Sequence, residues 1–438
     1  MPPALCDRPM TRFPLAAATL ALVCLALAPS VHAQAPESEL PPEPGRFEGA
    51  VPTPPPGGFL VPDLPGTVYR DTAIDTRGFT IRPGLVILYD YTGVSQDAAS
   101  IAQVGEQRDQ GQLRASRLLV RGTIGTDYAV RYLIAGEYKG FDSTRNTNWD
   151  MTDVSLTFPL RGPATTLTVG KTKQTHAYEM VGDAANLAFQ ERVLSPFFVS
   201  RAVGLRLNHV TADRMSTLAL GVYNDSWAGS SDVPNDGTDV TARATRLLWF
   251  EDDGRRMLHV GLSLRRAGAD GGRLRYRGRP ESNVLAYYVD TGSFAADHGT
   301  HVGLEAIWAD GPFSVMAEYI SASVDAPASG NPRFRGGYVG GSWMVTGGHR
   351  PYDPSAGYAR RVIPSNPTGA LELVARVSRV DLDSGAIAGG VMTKTYVGAN
   401  WWATHRWKFG AGWSYTRLDE AGTRGVTQAV LLRTQWVY

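Results

Sequence analysis

Cysteine is nearly missing from this sequence. Only Cys6 and Cys24 occur, and both fall within the first 33 residues, which read as a secretory signal. Past that segment no disulfide or thiolate metal site can form, so an exported chain must be held by its fold or by a membrane. No later stretch approaches 18 consecutive apolar residues, which excludes helical membrane spans. Net charge is lacking too. Without Asp7, Arg8 and Arg12, the 43 basic and 42 acidic residues fall to 41 of each. No global field exists to draw nucleic acid, and any charge function must come from local placement. Chemistry-bearing motifs are equally scarce. No phosphate-cradling glycine loop appears. His298-Gly299-Thr300-His301 has loose metal-ligand spacing, but no carboxylate pattern completes a site. Asp381-Leu382-Asp383-Ser384-Gly385 lacks the later ligands of a calcium loop. No catalytic residue, metal or cofactor is expected. An outer-membrane hydrolase would need Ser and His on neighbouring strands, a proximity that sequence does not reveal.

The amino-terminal region divides into two parts. Arg8 and Arg12 supply a positive start, Leu15 to Ala28 an apolar run, and Val31-His32-Ala33 the small residues of a cleavage site. Cleavage is expected after Ala33. Val23 before Cys24 is too large for a lipid-attachment signal. Residues 34–77 are rich in proline, as in Pro52-Thr53-Pro54-Pro55-Pro56, and read as a periplasmic tail or semi-rigid linker.

From about residue 78 the pattern alternates with a period of two. Trp407, Phe409, Ala411, Trp413 and Tyr415 share one face, with Lys408, Gly410, Gly412, Ser414 and Thr416 on the other. Leu258, Val260, Leu262 and Leu264 likewise oppose His259, Ser263 and Arg265. Leu371, Leu373, Ala375 and Val377 oppose Glu372, Arg376 and Ser378, and Val430, Leu432 and Trp436 alternate with Arg433 and Gln435. A soluble sandwich also alternates. Aromatics near strand ends and charge on the opposite faces favour lipid outside and a wet lumen inside. An exported β-sandwich or adhesin stays the rival of another class.

Tight links at Ile124–Asp127, Glu251–Gly254, Ala309–Pro312 and Ala403–Arg406 alternate with long ones near 92–113, 174–200, 225–239, 267–298, 323–333 and 381–392. Counting back from Tyr438 puts the tight turns in the periplasm. The count closes at 16 antiparallel strands over 78–438 if 267–298 is one loop and 346–369 one long periplasmic connection. The expected fold is therefore an all-β, 16-stranded transmembrane barrel in the outer membrane.

Charge then decides the candidate site. Arg273, Arg275, Arg277 and Arg279 would lie along one edge of an extended segment. Their planar forks match phosphate or carboxylate oxygens, and a spaced series inside a narrow pore would draw anions and pass them along. A solvated outer loop is the alternative. Arg117, Arg121, Arg131, Arg206, Arg265, Arg376, Arg406, Lys408 and Arg433 fall on lumen faces, as do Asp153, Glu137, Glu305, Glu318 and Glu372. Charge facing lipid is costly, so inward orientation is favoured.

Val169-Gly170-Lys171-Thr172-Lys173-Gln174, then Glu191-Arg192, Phe197-Phe198 and Arg201-Ala202-Val203-Gly204, resemble the phosphate-selective porin O and P family of outer-membrane channels. So do Thr346-Gly347-Gly348 with Gly369 to Arg376, and Arg114 to Gly122. The resemblance implies 16 strands, a homotrimer, and a third loop, fifth loop and long periplasmic turn folded into the lumen. It implies that Lys173 stands at the entry to the third loop and that Arg273, Arg275, Arg277 and Arg279 form an arginine ladder. Arg114, from the matching stretch, joins Arg117, Arg121 and Arg131 as a candidate pore-lining residue. The expected solutes are small anions such as phosphate or polyphosphate, or organic anions in a more general pore. The chain departs from the family's pattern at Ala115, Gly348, Leu371 and Tyr438, which bears on selectivity rather than on the barrel.

Overall fold

The computed structural model describes residues 74–76, 78–126, 129–138, 149–160, 164–224 and 237–438. The expected signal segment 1–33, nearly all of the Pro-rich 34–77 and most of 225–239 lie outside the described residues. Sixteen long strands form the wall. The first eight are β1 (Phe79–Gln96), β2 (Gln110–Ile124), β3 (Val130–Tyr138), β4 (Trp149–Pro159), β5 (Thr165–Lys173), β6 (Arg201–Val210), β7 (Ser216–Tyr223) and β8 (Asp239–Glu251). The others are β9 (Arg256–Gly268), β10 (His298–Asp310), β11 (Phe313–Asp325), β12 (Arg333–Met344), β13 (Ala370–Ser384), β14 (Ile387–Trp402), β15 (Trp407–Glu420) and β16 (Thr423–Val437). Each pairs antiparallel with the next, and β16 pairs with β1 from Val86↔Val437 to Gln96↔Thr427. Closure leaves no edge, which a wall in lipid requires because hydrocarbon offers no partner to a free N–H or C=O. A three-residue strand, Ile74–Thr76, adds to the start of β1.

Exposure is inverted relative to a soluble sandwich. Leu262 and Leu264 are each 44% exposed, whereas Arg265 beside them is 1% and His259 0% exposed. The same holds along β15, where Trp407, Phe409 and Tyr415 face out and Lys408, Ser414 and Thr416 are buried. The strand period of two therefore sorts apolar residues to lipid and polar ones to the interior. At the strand ends that carry the short turns, rings stack outward: Phe313 with Trp343 at 5.9 Å, Trp401 with Phe409 at 5.5 Å and Trp436 with Tyr438 at 6.1 Å. Such a girdle suits a membrane–water interface.

Connections differ between the two ends. At the turn end, links such as 311–312 and 403–406 are tight, and 345–369 is the single long one among the described residues. At the loop end lie 97–109, with the short helix α1 (Ala98–Val104), then 174–200, 269–297 and 326–332. The long link expected at 381–392 is not there. β13 runs to Ser384 and β14 starts at Ile387, joined by a two-residue turn with Gly385 at φ 60°. The polar Asp-Leu-Asp-Ser stretch reads as a loop, but pairing with β14 continues through it across a bulge between Asp381 and Asp383, with Leu382 fully buried.

Three connections turn inward. The third loop (174–200) carries the four-residue helix α2 (Tyr178–Val181). The fifth loop (269–297) does not span. It forms two small ladders, Arg273–Leu274 with Phe294–Ala295 and Arg277–Gly278 with Val289–Asp290. The long turn pairs Tyr352–Asp353 with Tyr358–Ala359. Where the loops meet the wall its inner face becomes apolar: Tyr276 packs on Phe334 at 5.0 Å and on Phe197 at 6.2 Å. Each such ring buried contributes on the order of 1.5–3 kcal/mol.

Candidate functional site

Wall charges fix the loops. Arg376 on β13 donates to Glu179 at 2.8 Å, to the Glu191 carbonyl at 2.6 Å and to the Glu281 carboxylate, joining the third and fifth loops. Lys394 on β14 reaches the Pro280 carbonyl at 2.7 Å and Glu281 at 3.4 Å. Glu191 accepts from Arg114 at 2.5 Å and from Arg433 at 2.9 Å, while Arg433 also forks onto Asp90. Two strands from β13, Glu318 of β11 accepts the backbone N–H groups of Tyr178 at 2.6 Å and Glu179 at 3.1 Å. The long turn is tied in through Tyr352 and His259 at 2.5 Å, and through Arg350 and Glu372 at 2.5 Å. It meets the third loop where Ala359 N–H donates to the Tyr178 hydroxyl at 3.2 Å. Burial alone would favour the neutral acid at Glu191 and Glu281. The cations beside them win, Arg114 and Arg433 for the first, Arg376 and Lys394 for the second, and hold both carboxyls below the usual range.

Between the two loops lies a cavity of about 290 Å³. Five guanidinium side chains line it: Arg114, Arg192, Arg275, Arg277 and Arg279. Glu191 and Glu281 line it as well, and both are already matched by wall cations. The local balance is therefore positive in a narrow space with low-dielectric walls, where each charge acts over a greater range than in bulk water. The alternation of the fifth loop explains the placement. Leu274, Tyr276 and Gly278 are buried against wall and third loop, so the intervening arginines point the other way. Gly278 allows that approach, since a Cβ there would stand 2.9 Å from the Pro196 ring. Arg277 and Arg279 flank the Tyr287 ring at 4.2 and 4.5 Å, and Arg279 also donates to the Asn283 carbonyl. Arg275 forks onto Asp290.

Other candidates stand elsewhere. Arg273 is exposed and donates to the Ser293 hydroxyl at 2.9 Å and carbonyl at 2.6 Å, away from the cavity lining. Lys173 is 3% exposed and donates to the Gly182 carbonyl at 3.0 Å at the end of α2. It lines a separate, smaller cavity of about 50 Å³ with Arg206, Arg243 and Arg360. Arg117 pairs with Glu137 at 2.6 Å and lies 3.9 Å from Asp183. Arg121 and Arg131 follow on β2 and β3 toward the turn end. Sequence reasoning passed over Arg192, Glu281 and Tyr287 as lining residues. A signal was available for Arg192: it sits with Glu191 in an otherwise apolar stretch, Leu187-Ala188-Phe189 and Val193-Leu194, where a charge must find partners inside. His298 and His301 fall on opposite faces of β10, and among the described residues no group of three or more His, Cys, Asp or Glu could hold a metal.

Comparison with known proteins follows the geometry. The family model described as phosphate-selective porin O and P matches residues 84–438. Porin O of Pseudomonas aeruginosa is 23% identical over 439 residues, covering 92% of this chain and 94% of that protein. Among solved structures, the outer-membrane channel DcaP of Acinetobacter baumannii aligns with a TM-score of 0.54 at 12% identity, covering 82% of this chain and 98% of that one. The anion-selective porin from Comamonas acidovorans aligns with a TM-score of 0.52 at 13% identity, covering 82% of this chain and all 100% of that one. These two likenesses concern the fold.

Proposed function

The chain belongs to the phosphate-selective porin O and P family, and from that premise we propose that the cavity between its third and fifth loops selects small anions, phosphate or polyphosphate first. The chain is an outer-membrane porin. The selectivity rests on one observation above all, the five arginines lining a space of about 290 Å³ in a protein whose overall charge is balanced. A pore cannot select by a field it does not have, so selection must be local. Planar guanidinium forks suit tetrahedral oxyanions, and several spaced sites let an ion leave as readily as it enters. About 1.4 kcal/mol of relative stabilisation gives tenfold anion preference, which a few partly screened arginines can supply.

Reversal potentials of single channels in a salt gradient test this. The combined R277Q/R279Q change should move the potential toward the non-selective value, and K173M should move it less. An unchanged anion preference in the double variant rejects the cavity and turns attention to Arg117, Arg121 and Arg131. A second reading, passage of organic anions, is favoured by Met180, Pro196 and Phe198, which also line the cavity. It predicts that an aromatic carboxylate blocks chloride current more strongly than phosphate does. Homotrimeric assembly belongs to the same proposal and is checked by the mass of the detergent-solubilised particle.

A further inference from the structure

The outward face of β12 and β13 changes character near the loop end. Arg335 and Arg379 point out of the barrel with side chains 64% and 52% exposed. They flank Asp381, which accepts from Arg335 at 3.0 Å and lies 3.8 Å from Arg379. One carboxylate shared by two guanidiniums leaves a positive charge over, and the exposed Arg333 adds another on the same face. Directly toward the turn end the wall opens into a groove of about 570 Å³ that includes both arginines at its rim. Its floor and sides are Leu304, Ala317, Tyr319, Gly337, Val339 and Val377. In register, Arg335 stands opposite Asp381 and Arg379 opposite Gly337, so the cations form the upper rim and the apolar residues continue below them.

Charge on a lipid-facing wall is costly in hydrocarbon and is tolerated at the headgroup level. Arg335 and Arg379 lie near the loop end of β12 and β13, and with the tight turns in the periplasm that end reaches the outer interface. We propose that this face binds a phosphorylated, multiply acylated glycolipid of the outer leaflet. One acyl chain occupies the groove, and a phosphate takes the N–H donors of Arg335 and Arg379 that point away from Asp381, where they replace the hydration that the headgroup loses. Charge complementarity selects this occupant. A two-fold contact through this face would bring like charges together, and the unlike contact of a three-fold ring is separated from lipid binding by the oligomer mass in the test below.

The test uses the full chain, folded in detergent free of glycolipid and mixed with diphosphorylated lipid A. Native mass spectrometry reads the bound fraction, and gel mobility before and after heating certifies the fold of every variant. A single retained lipid A is expected, with retention about tenfold weaker in R335Q/R379Q and recovered in part by R335K/R379K. Val339→Trp fills the groove and should weaken retention with both charges in place. Monophosphorylated lipid A and phosphatidylglycerol should be held less well. Equal retention by R335Q/R379Q overturns the proposal, as does equal retention of phosphatidylglycerol, which would reduce the face to unspecific attraction. Loss of oligomer mass without loss of lipid in R335Q/R379Q would give the face to a second copy and overturn it as well.

Discussion

Arg376 reaches Glu179, the Glu191 carbonyl and Glu281, three points on two loops that are about a hundred residues apart in sequence. Such a group resists replacement because its partners are left charged and unpaired. Breaking a buried pair this way costs about 3–5 kcal/mol where water is excluded, and less beside a wet cavity. Arg376→Gln is therefore expected to loosen both inner loops while leaving the barrel closed. Single-channel records should become noisier and the mean conductance should rise. A quiet channel of unchanged conductance would remove Arg376 from its place as the anchor. Lys173 gives the contrasting case. Its ammonium caps the carbonyl end of α2, so its loss should disturb the third loop more than the charge of the arginine-lined cavity.

At the scale of elements, the fifth loop forms only two-residue ladders and is too apolar on one edge to stay in water. Leu274 and Tyr276 are both fully buried, and they dock against Phe197, Phe294 and Phe334. The opposite edge is left to carry charge. Gly278 meets the third loop at Pro196, where a Cβ would stand 2.9 Å from the proline ring. Gly278→Val should push the two loops apart by a few tenths of an ångström or more, at a cost of about 1–3 kcal/mol for overpacking. The expected outcome is altered conductance and weaker anion preference together, read in the same bilayer experiment. If conductance changed while selectivity held, the ladder would not depend on the contact between loops.

The whole molecule depends on one seam. β16 closes on β1, and Tyr438 exchanges two backbone hydrogen bonds with Leu85, at 2.9 and 2.8 Å. Asp90 and Arg433 fork across the same seam inside, while Trp436 stacks on Tyr438 outside. Removing residues 436–438 exposes strand edges at the turn end of β1 and strips the girdle there, and open edges have no place in lipid. The truncated chain should fail to give the heat-modifiable band of a folded barrel. Trp436→Ala keeps the ladder and should assemble with only a modest loss. A truncated chain that still assembled would show that closure does not need this end of the seam.

How much of this could be read beforehand follows from the range of the forces involved. Alternation is local, so sequence alone determined the strands, their inward and outward faces and the inward placement of charges such as Arg265, Glu372 and Arg433. Absences did similar service: without thiols past Cys24 or long apolar runs, an exported alternating chain had few solutions other than a closed wall. The count of strands closed at 16 only on the condition that 267–298 be one loop and 346–369 one connection, and the tertiary structure met that condition. Turn length was less secure, since Asp381 to Gly385 has loop composition and a bulge at Leu382, and only pairing with β14 revealed a two-residue turn. The fifth-loop edge was legible because it too obeys a period of two. Its neighbours were not. Arg114, expected on the wall, and Arg192, which was not singled out, join Arg275, Arg277 and Arg279 across long separations, and nothing in their spacing encodes that meeting. Lys173 and Arg273 have the chemistry of the cavity but stand outside it, because side-chain type is a local property and convergence is not. Tertiary structure decided which charges share a space, since burying an ion inside the barrel obliges each one to find a partner wherever folding brings it.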